Sequence, residues 1–246
     1  MRHAIPAGMI LALVALLALP AALRADPLAL PEELRFDVTL RGLPVGVLRV
    51  GTARSAGEYA ATARLDATGM ARLVRDIRFH ATVQGRLRDG RPQPLRYAED
   101  VNTGRRESRT EMVWNGGVPQ VLRSEPERPP EPWHLDPAEQ GGTLDPMTVL
   151  LSVLSDMPPD RACRLDLAMY DGRRRGQVAL SQARSQGDGV ACHGVFRRVA
   201  GYSDEELAER RDHAFRVTYA PTGTGTLRVV ALEVDGRLGT VRLRRQ

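Results

Sequence analysis

From Arg35 onward, apolar and polar residues alternate with a period of two, the signature of half-buried β-strands. "RFDVTL" puts Phe36, Val38 and Leu40 on one face, "GLPVG" (Gly42–Gly46) turns the chain, and "VLRV" returns. "EYAATARLDA" aligns Tyr59, Ala61, Ala63, Leu65 and Ala67. After "TGMARLVRD", read as one turn of helix, Ile77, Phe79, Ala81, Val83 and Leu87 alternate with Arg78, His80, Thr82, Gln84 and Arg86. Strands follow at "QPLRYAEDV", "SRTEMVWN" and "VPQVLRS", with Asn115-Gly116-Gly117 as strong hairpin chemistry. The alternation resumes at "RLDLAMY", "GQVALSQ", "GVACHGVFRRV", "AFRVTYA", "LRVVALEV" and "GTVRLR". Hardly any connection is long enough for a parallel crossover, so an antiparallel sheet is expected.

Two stretches break the period. In "YSDEELAERR", Ser203 followed by Glu206 forms a capping box that starts a short helix. In "GGTLDPMTVLLSVLSDMPP", Asp145 is an N-cap with Pro146 at the first helical position. Thr148, Ser152 and Ser155 make one narrow stripe of hydroxyls, while Met147, Val149, Leu150, Leu151, Val153 and Leu154 cover the rest of the helix. A helix on a flat sheet buries about a third to a half of its circumference. This one needs cover on most sides, which a strongly curved sheet provides. The expected fold is mainly β: a large curved antiparallel sheet, a half-open barrel of about twelve strands, with a central apolar helix and a second short helix. The helix either plugs a core or lines an apolar cavity, with Trp133, Met147, Leu150, Leu151 and Leu154 as the candidate lining. Trp133 sits in a proline-rich crossing, Ser124–Gly142, that leads into the helix and with it would form a lid.

The first 25 residues change the domain count. Arg2 and His3 precede an apolar run, Met9 to Leu19, and small residues lead to Ala25. This reads as a secretory signal peptide cut after Ala25, leaving 26–246 as a single β domain. The run spans roughly 16 Å as a helix against about 30 Å of hydrocarbon, too short for a comfortable anchor. No later segment is long and apolar enough to cross a membrane as a helix. The expected location is the periplasm.

Charge adds little. The formal net charge of +5 falls to +3 when Arg2 and Arg24 leave with the signal, since that segment has no acid. Every cation is arginine, as a genome-wide coding bias would give, and acids are interleaved throughout. Arg173–Arg175 reads as a solvated hairpin tip. Nucleic-acid binding wants a basic stripe with stacking aromatics, and the sequence has neither.

Cys163 and Cys192 are either a disulfide or two separate buried thiols. A bridge between next-but-one strands requires Cα atoms within about 7 Å, and the intervening strand to stop short. No zinc spacing occurs, no cofactor motif is present, and His80, His134, His193 and His213 are scattered. "DVNTGRRESRTE" begins like a calcium loop but has Gly104 and Arg105 at the decisive places. Glu99, Asp100, Glu107 and Glu111, interleaved with Arg96, Arg105, Arg106 and Arg109, read as a cross-strand ion-pair ladder rather than a glycosidase pair. Cys192 and His193 point to opposite faces of a strand, which disfavours a catalytic pair. An outer-membrane barrel wants aromatic girdles, and eleven aromatics with Arg242, Arg244 and Arg245 on the last strand do not supply them.

The "LRGLPVG" turn, the "ATGMARLVRD" step and "LDPMTVLLSVL" (Asp145, Pro146, Met147, Thr148) resemble a family of exported bacterial proteins known as a domain of unknown function (family 3108). The resemblance covers nearly all of the mature chain and is carried by structural motifs. One turn into the helix, where relatives often have an aromatic, this chain has Leu151. The family implies a periplasmic antiparallel β protein, and its form is similar to half-barrels that carry lipoproteins and lipids between bacterial membranes. The expected role is non-enzymatic: binding or carrying an apolar ligand such as a lipid or lipopeptide, or an envelope protein. The alternatives are an envelope structural protein with a self-filled core, and an enzyme of unrecognised chemistry.

Overall fold

The computed structural model describes residues 32–55, 57–68, 77–103, 107–127, 129, 131–236 and 238–246. The signal-like segment 1–25 and the turn expected at 69–76 lie outside the described residues, as do Arg105 and Arg106.

Among the described residues thirteen strands form one antiparallel sheet, open at both edges. The first arm is a meander of β1 (Glu32–Leu40), β2 (Leu43–Ser55), β3 (Glu58–Ala67), β4 (Ile77–Arg88), β5 (Arg91–Thr103), β6 (Glu107–Asn115) and β7 (Val118–Glu125). The second comprises β8 (Leu165–Tyr170), β9 (Arg175–Gln186), β10 (Gly189–Ala200), β11 (Asp212–Pro221), β12 (Leu227–Gly236) and β13 (Gly239–Arg245). The arms join where β1 pairs with β13, Val38 opposite Leu243, so the last strand lies at the centre of the sheet. Between the arms come helix α1 (Pro146–Leu154) and, between β10 and β11, helix α2 (Asp204–Glu209).

The inward positions are those the alternation selects: Phe36, Val38, Val50, Tyr59, Ala61, Ala63, Ala81, Val83, Tyr97 and Met112 on one arm, and Leu180, Cys192, Val217, Tyr219 and Val229 on the other. The first hairpin is tighter than expected. Arg41 and Gly42 alone make the turn, both at positive φ, and Leu43–Gly46 already belong to β2. The primed turn matches the twist of the flanking strands, which a longer loop would not.

The edges β7 and β8 do not pair, yet the gap between them is filled. Gly142 N donates to Gly117 O in the β6–β7 turn (3.0 Å), and Leu144 exchanges two bonds with β8, its N to Ala168 O (2.9 Å) and Tyr170 N to its O (2.8 Å). Trp114 Nε1 donates to Thr143 O between them (3.1 Å). Arg173, in the β8–β9 turn, reaches Ser124 Oγ on β7 at 2.9 Å. The chain just before α1 thus stitches the two edges without completing the ladder.

Arg173–Arg175 is half-buried, contrary to the solvated tip expected of it. Asp171 Oδ1 accepts from the backbone N–H of Arg173 and Arg174, and Arg174 pairs with Glu206 and lies over the Tyr202 ring. α2, whose Ser203–Glu206 capping box is formed in both directions, packs over this turn and supplies the acid. Two sequence-distant elements meet there, which a linear reading cannot see.

Candidate functional site

α1 is nine residues long because Asp145 and Pro146 start it and Pro158–Pro159 follow soon after its end. Ser155, the C-cap, returns its N–H to Leu151 O. Six of its residues are buried: Met147, Thr148, Val149, Leu151, Val153 and Leu154. Each large apolar side chain among them contributes about 1.5–3 kcal/mol on burial, before entropy is set against it. Tyr59 on β3, Trp114 on β6 and Tyr219 on β11 all bond to the helix or its entry, so the shell closes on it from both arms.

A buried polar chain runs along one side. Asp145, fully buried, accepts from Thr148 N (2.8 Å) and from Thr148 Oγ1 (2.6 Å), and Thr148 Oγ1 lies 2.8 Å from Tyr59 OH. Burial pushes the Asp145 carboxyl up to about 6, with the Thr148 and backbone hydrogen bonds opposing the rise. The Tyr59 phenol is also pushed up, first by burial. Gly85 on β4 makes room for this tyrosine, since a Cβ there would lie 2.5 Å from the Tyr59 ring.

Beside this chain lies a groove of about 480 Å³ between α1, the β4–β5 hairpin and the segment leading into β8. Leu87, Pro92, Leu151, Met157, Pro158, Leu165 and Leu167 form apolar walls, and Tyr59, Thr148, Ser152 and Ser155 its helix side. Its rim carries Arg54, Arg91, Arg161 and Arg164, all exposed. Asp156 also lies at the rim, but its carboxylate is held by Arg228 at 2.6 Å. Four cations around an apolar trough suit an amphiphile whose head is negative.

One wall is pinned by the disulfide Cys163–Cys192, with Cα atoms 5.1 Å apart. β9 lies between the two cysteines and does not stop short; it runs on to Gln186. It bulges instead, so that Gln182 and Ala183 face Cys192 between the pairs Ala191–Arg184 and His193–Ser181. Cys163 precedes the first β8–β9 pair, Leu165–Leu180, and crosses over the bulge.

The sequence-derived candidates do not form one site. Leu151 lines the groove, and Leu151 and Leu154 meet in a smaller adjoining pocket of about 120 Å³ that also includes Arg54 and Ser155. Met147 is core, while Leu150 is half-buried against it. Trp133 lies elsewhere, in a polar pocket of about 300 Å³ between β5–β7 and the β8–β9 turn, with His134, Glu99, Asp171 and Arg173. Glu99, on the same face as Tyr97, accepts from Tyr97 OH (2.6 Å) and from Thr110 Oγ1 (3.2 Å). The expected ladder joins Asp100 and Glu107 to Arg78 and Arg109, and Glu111 to Arg123. Tyr59, Arg54, Arg161 and Arg164 went unrecognised because the groove is assembled from residues about a hundred positions apart. Among the described residues no cluster of three His, Cys, Asp or Glu could hold a metal, and no helix is long and apolar enough to cross a membrane.

The family described as "Protein of unknown function (DUF3108)" matches residues 35–191. No curated protein matches the sequence. Among solved structures, a beta-barrel-like protein of domain of unknown function DUF1849 from Brucella abortus is similar, with 12% identity and a TM-score of 0.40 over 88% of this chain and 95% of that one.

Proposed function

The chain belongs to the DUF3108 family, a family of unknown function, and from that premise we propose that it is an exported, non-enzymatic binding module for an amphiphile with a negatively charged head. The single observation behind this reading is the apolar groove of about 480 Å³ beside α1, with Arg54, Arg91, Arg161 and Arg164 at its rim. Burying an acyl chain is worth about 0.8 kcal/mol per methylene, and guanidinium groups bind carboxylates and phosphates in a planar fork. Export through a signal peptide cut after Ala25 is supported by the Arg2–Ala25 pattern and by the Cys163–Cys192 disulfide, which suits an oxidising compartment.

The test is native mass spectrometry of the full chain expressed in its exported form, followed by titration with a fluorescent fatty acid. The reading predicts an N-terminus at Asp26, uptake of the probe, and loss of uptake in Leu167→Asp and in the double variant Arg161→Glu/Arg164→Glu. Leu154→Asp is unsuitable, because Leu154 is fully buried and its change tests folding. No uptake by a folded wild-type chain contradicts the reading.

A second reading, an envelope structural protein with a self-filled core, is favoured by one observation: Met147, Val149, Val153 and Leu154 fill the space under the sheet with the protein's own side chains. It predicts a folded chain that takes up no amphiphile and co-purifies with envelope proteins.

A further inference from the structure

We infer that the groove selects amphiphiles that carry a hydrogen-bond donor, a hydroxyl or an amide N–H, close to the negative head, and that Tyr59 is the residue that reads it. The inference rests on the binding role proposed above and concerns which member of that ligand class is preferred.

Each hydroxyl of the groove has one proton to give. An ionised carboxylate only accepts. Asp145 is such an acceptor, buried and facing Thr148, so the single proton of Thr148 Oγ1 goes to Asp145 Oδ2 at 2.6 Å. The Thr148 oxygen then accepts from Tyr59 OH at 2.8 Å, which uses the only proton of the tyrosine. Ser152 Oγ donates to Thr148 O at 2.8 Å, and Ser155 Oγ to Leu151 O at 2.7 Å. Arg54 Nη2 donates to Ser155 Oγ at 2.7 Å, so that oxygen is an acceptor as well. Every hydroxyl on the helix side of the groove has therefore given its proton to the protein. What remains toward a ligand is oxygen lone pairs.

The donors of the site lie at the rim instead, on arginines. Arg91, Arg161 and Arg164 make no ion pair among the described residues. The two polarities are thus separated: a rim that gives hydrogen bonds and a floor that takes them. A plain fatty acid satisfies the rim and places bare methylenes against the floor, where the remaining lone pairs of Tyr59 OH, bonded to Thr148, gain no donor. A ligand with a hydroxyl or an amide N–H near its head satisfies both. The chemical class is a hydroxy fatty acid or an N-acylated amino acid or peptide.

The experiment compares dodecanoate, 3-hydroxydodecanoate and N-dodecanoylglycine for displacement of the fluorescent fatty acid at about pH 7.5, where Asp145 is ionised. The expected result is that one or both donor-bearing probes bind about tenfold tighter than dodecanoate, the worth of one buried hydrogen bond. Preference for the hydroxy acid identifies a hydroxyacyl source, and preference for the acylglycine an acylated amine. Tyr59→Phe is expected to reduce the preference, read as the ratio of probe affinities within the variant, to within about twofold. Ser152→Ala, at a half-buried position, removes one acceptor and the bond to Thr148 O while leaving the Asp145, Thr148 Oγ1 and Tyr59 bonds in place, and is a second variant expected to narrow the preference. Equal affinity of all three probes for the wild type overturns the inference while leaving the binding role standing. A preference unchanged in Tyr59→Phe also overturns it. Failure of every probe to bind overturns the binding role instead.

Discussion

Tyr59 on β3 and Tyr219 on β11 bond to the same nine-residue helix: Tyr59 OH lies 2.8 Å from Thr148 Oγ1, and Tyr219 OH donates to Val153 O at 3.1 Å. In the sheet order four strands, β2, β1, β13 and β12, separate β3 from β11. At about 4.8 Å per strand a flat sheet would hold them roughly 24 Å apart, more than twice the width of a helix. The sheet has to bend for both tyrosines to reach α1.

Removing either hydroxyl therefore tests the curvature. Tyr219→Phe leaves the buried Val153 carbonyl without its side-chain donor and is expected to cost about 1–3 kcal/mol in denaturant unfolding. A loss below a few tenths of a kcal/mol would mean that this contact does not hold the arms.

Gly85 gives a second handle on the same tyrosine. A Cβ at this position meets the Tyr59 ring at 2.5 Å and Gln93 O at 2.5 Å. Gly85→Ala is expected to destabilise by about 1–3 kcal/mol through overpacking. It should also weaken binding of the fluorescent fatty acid, because the displaced ring lies along the groove. Stability and binding both equal to wild type would show that the ring is not confined there.

Asp145 makes stability depend on pH in an unusual direction. Its carboxyl is raised to about 6 when folded, against 3.8 as the ordinary value, because burial opposes ionisation. The folded state then holds the proton more tightly, so this group's stabilising contribution is present below about 4 and is lost as pH rises through about 6. The gap corresponds to on the order of 3 kcal/mol. His213 acts oppositely: burial lowers its folded value below 6.5, and its contribution is lost as pH falls through that window. Comparing wild type with Asp145→Asn isolates the carboxyl, since asparagine still caps a helix. Wild type should gain stability relative to the variant as pH drops from about 7.5 to about 4.5. Parallel curves would contradict the buried-carboxylate account.

The disulfide closes a loop with a sequence separation of 29 and ties the groove wall to β10. The double variant Cys163→Ser/Cys192→Ser is expected to lose about 3 kcal/mol in the chain-entropy account. Its probe affinity should also fall, because Met157–Leu165 then loses one of its anchors. Free-thiol labelling of the unfolded, unreduced protein checks the bond itself: two reactive thiols would disprove it.

Much of the fold was legible because period-two alternation and capping are local. Phe36, Ala63, Val83 and Tyr97 face inward as their spacing demands, and Asp145 and Ser203 cap as their neighbours demand. The near-cylindrical apolarity of α1 also encoded curvature, since a flat layer would leave half of it wet. The groove was not legible. Arg54, Arg91 and Arg161 read separately as solvated strand or loop charges and acquire a common role only when α1 brings the β4–β5 hairpin and the β8 entry together. Nor were the bonds of Glu99 to Tyr97 and Thr110 legible, because its neighbours in sequence are acids and arginines while these two partners lie on the inner face. The β9 bulge that lets Cys163 reach Cys192 depends on Gln182 adopting positive φ, which no residue type announces.

Photo-crosslinking with a diazirine-bearing fatty acid tests the central claim most directly, because it reports where an apolar chain lies. The account predicts label on Leu87, Leu151, Met157 and Leu167, suppressed by excess unlabelled amphiphile and by Arg161→Glu/Arg164→Glu. Label confined to the outer face of the sheet, or no saturable label on the folded protein, would contradict it.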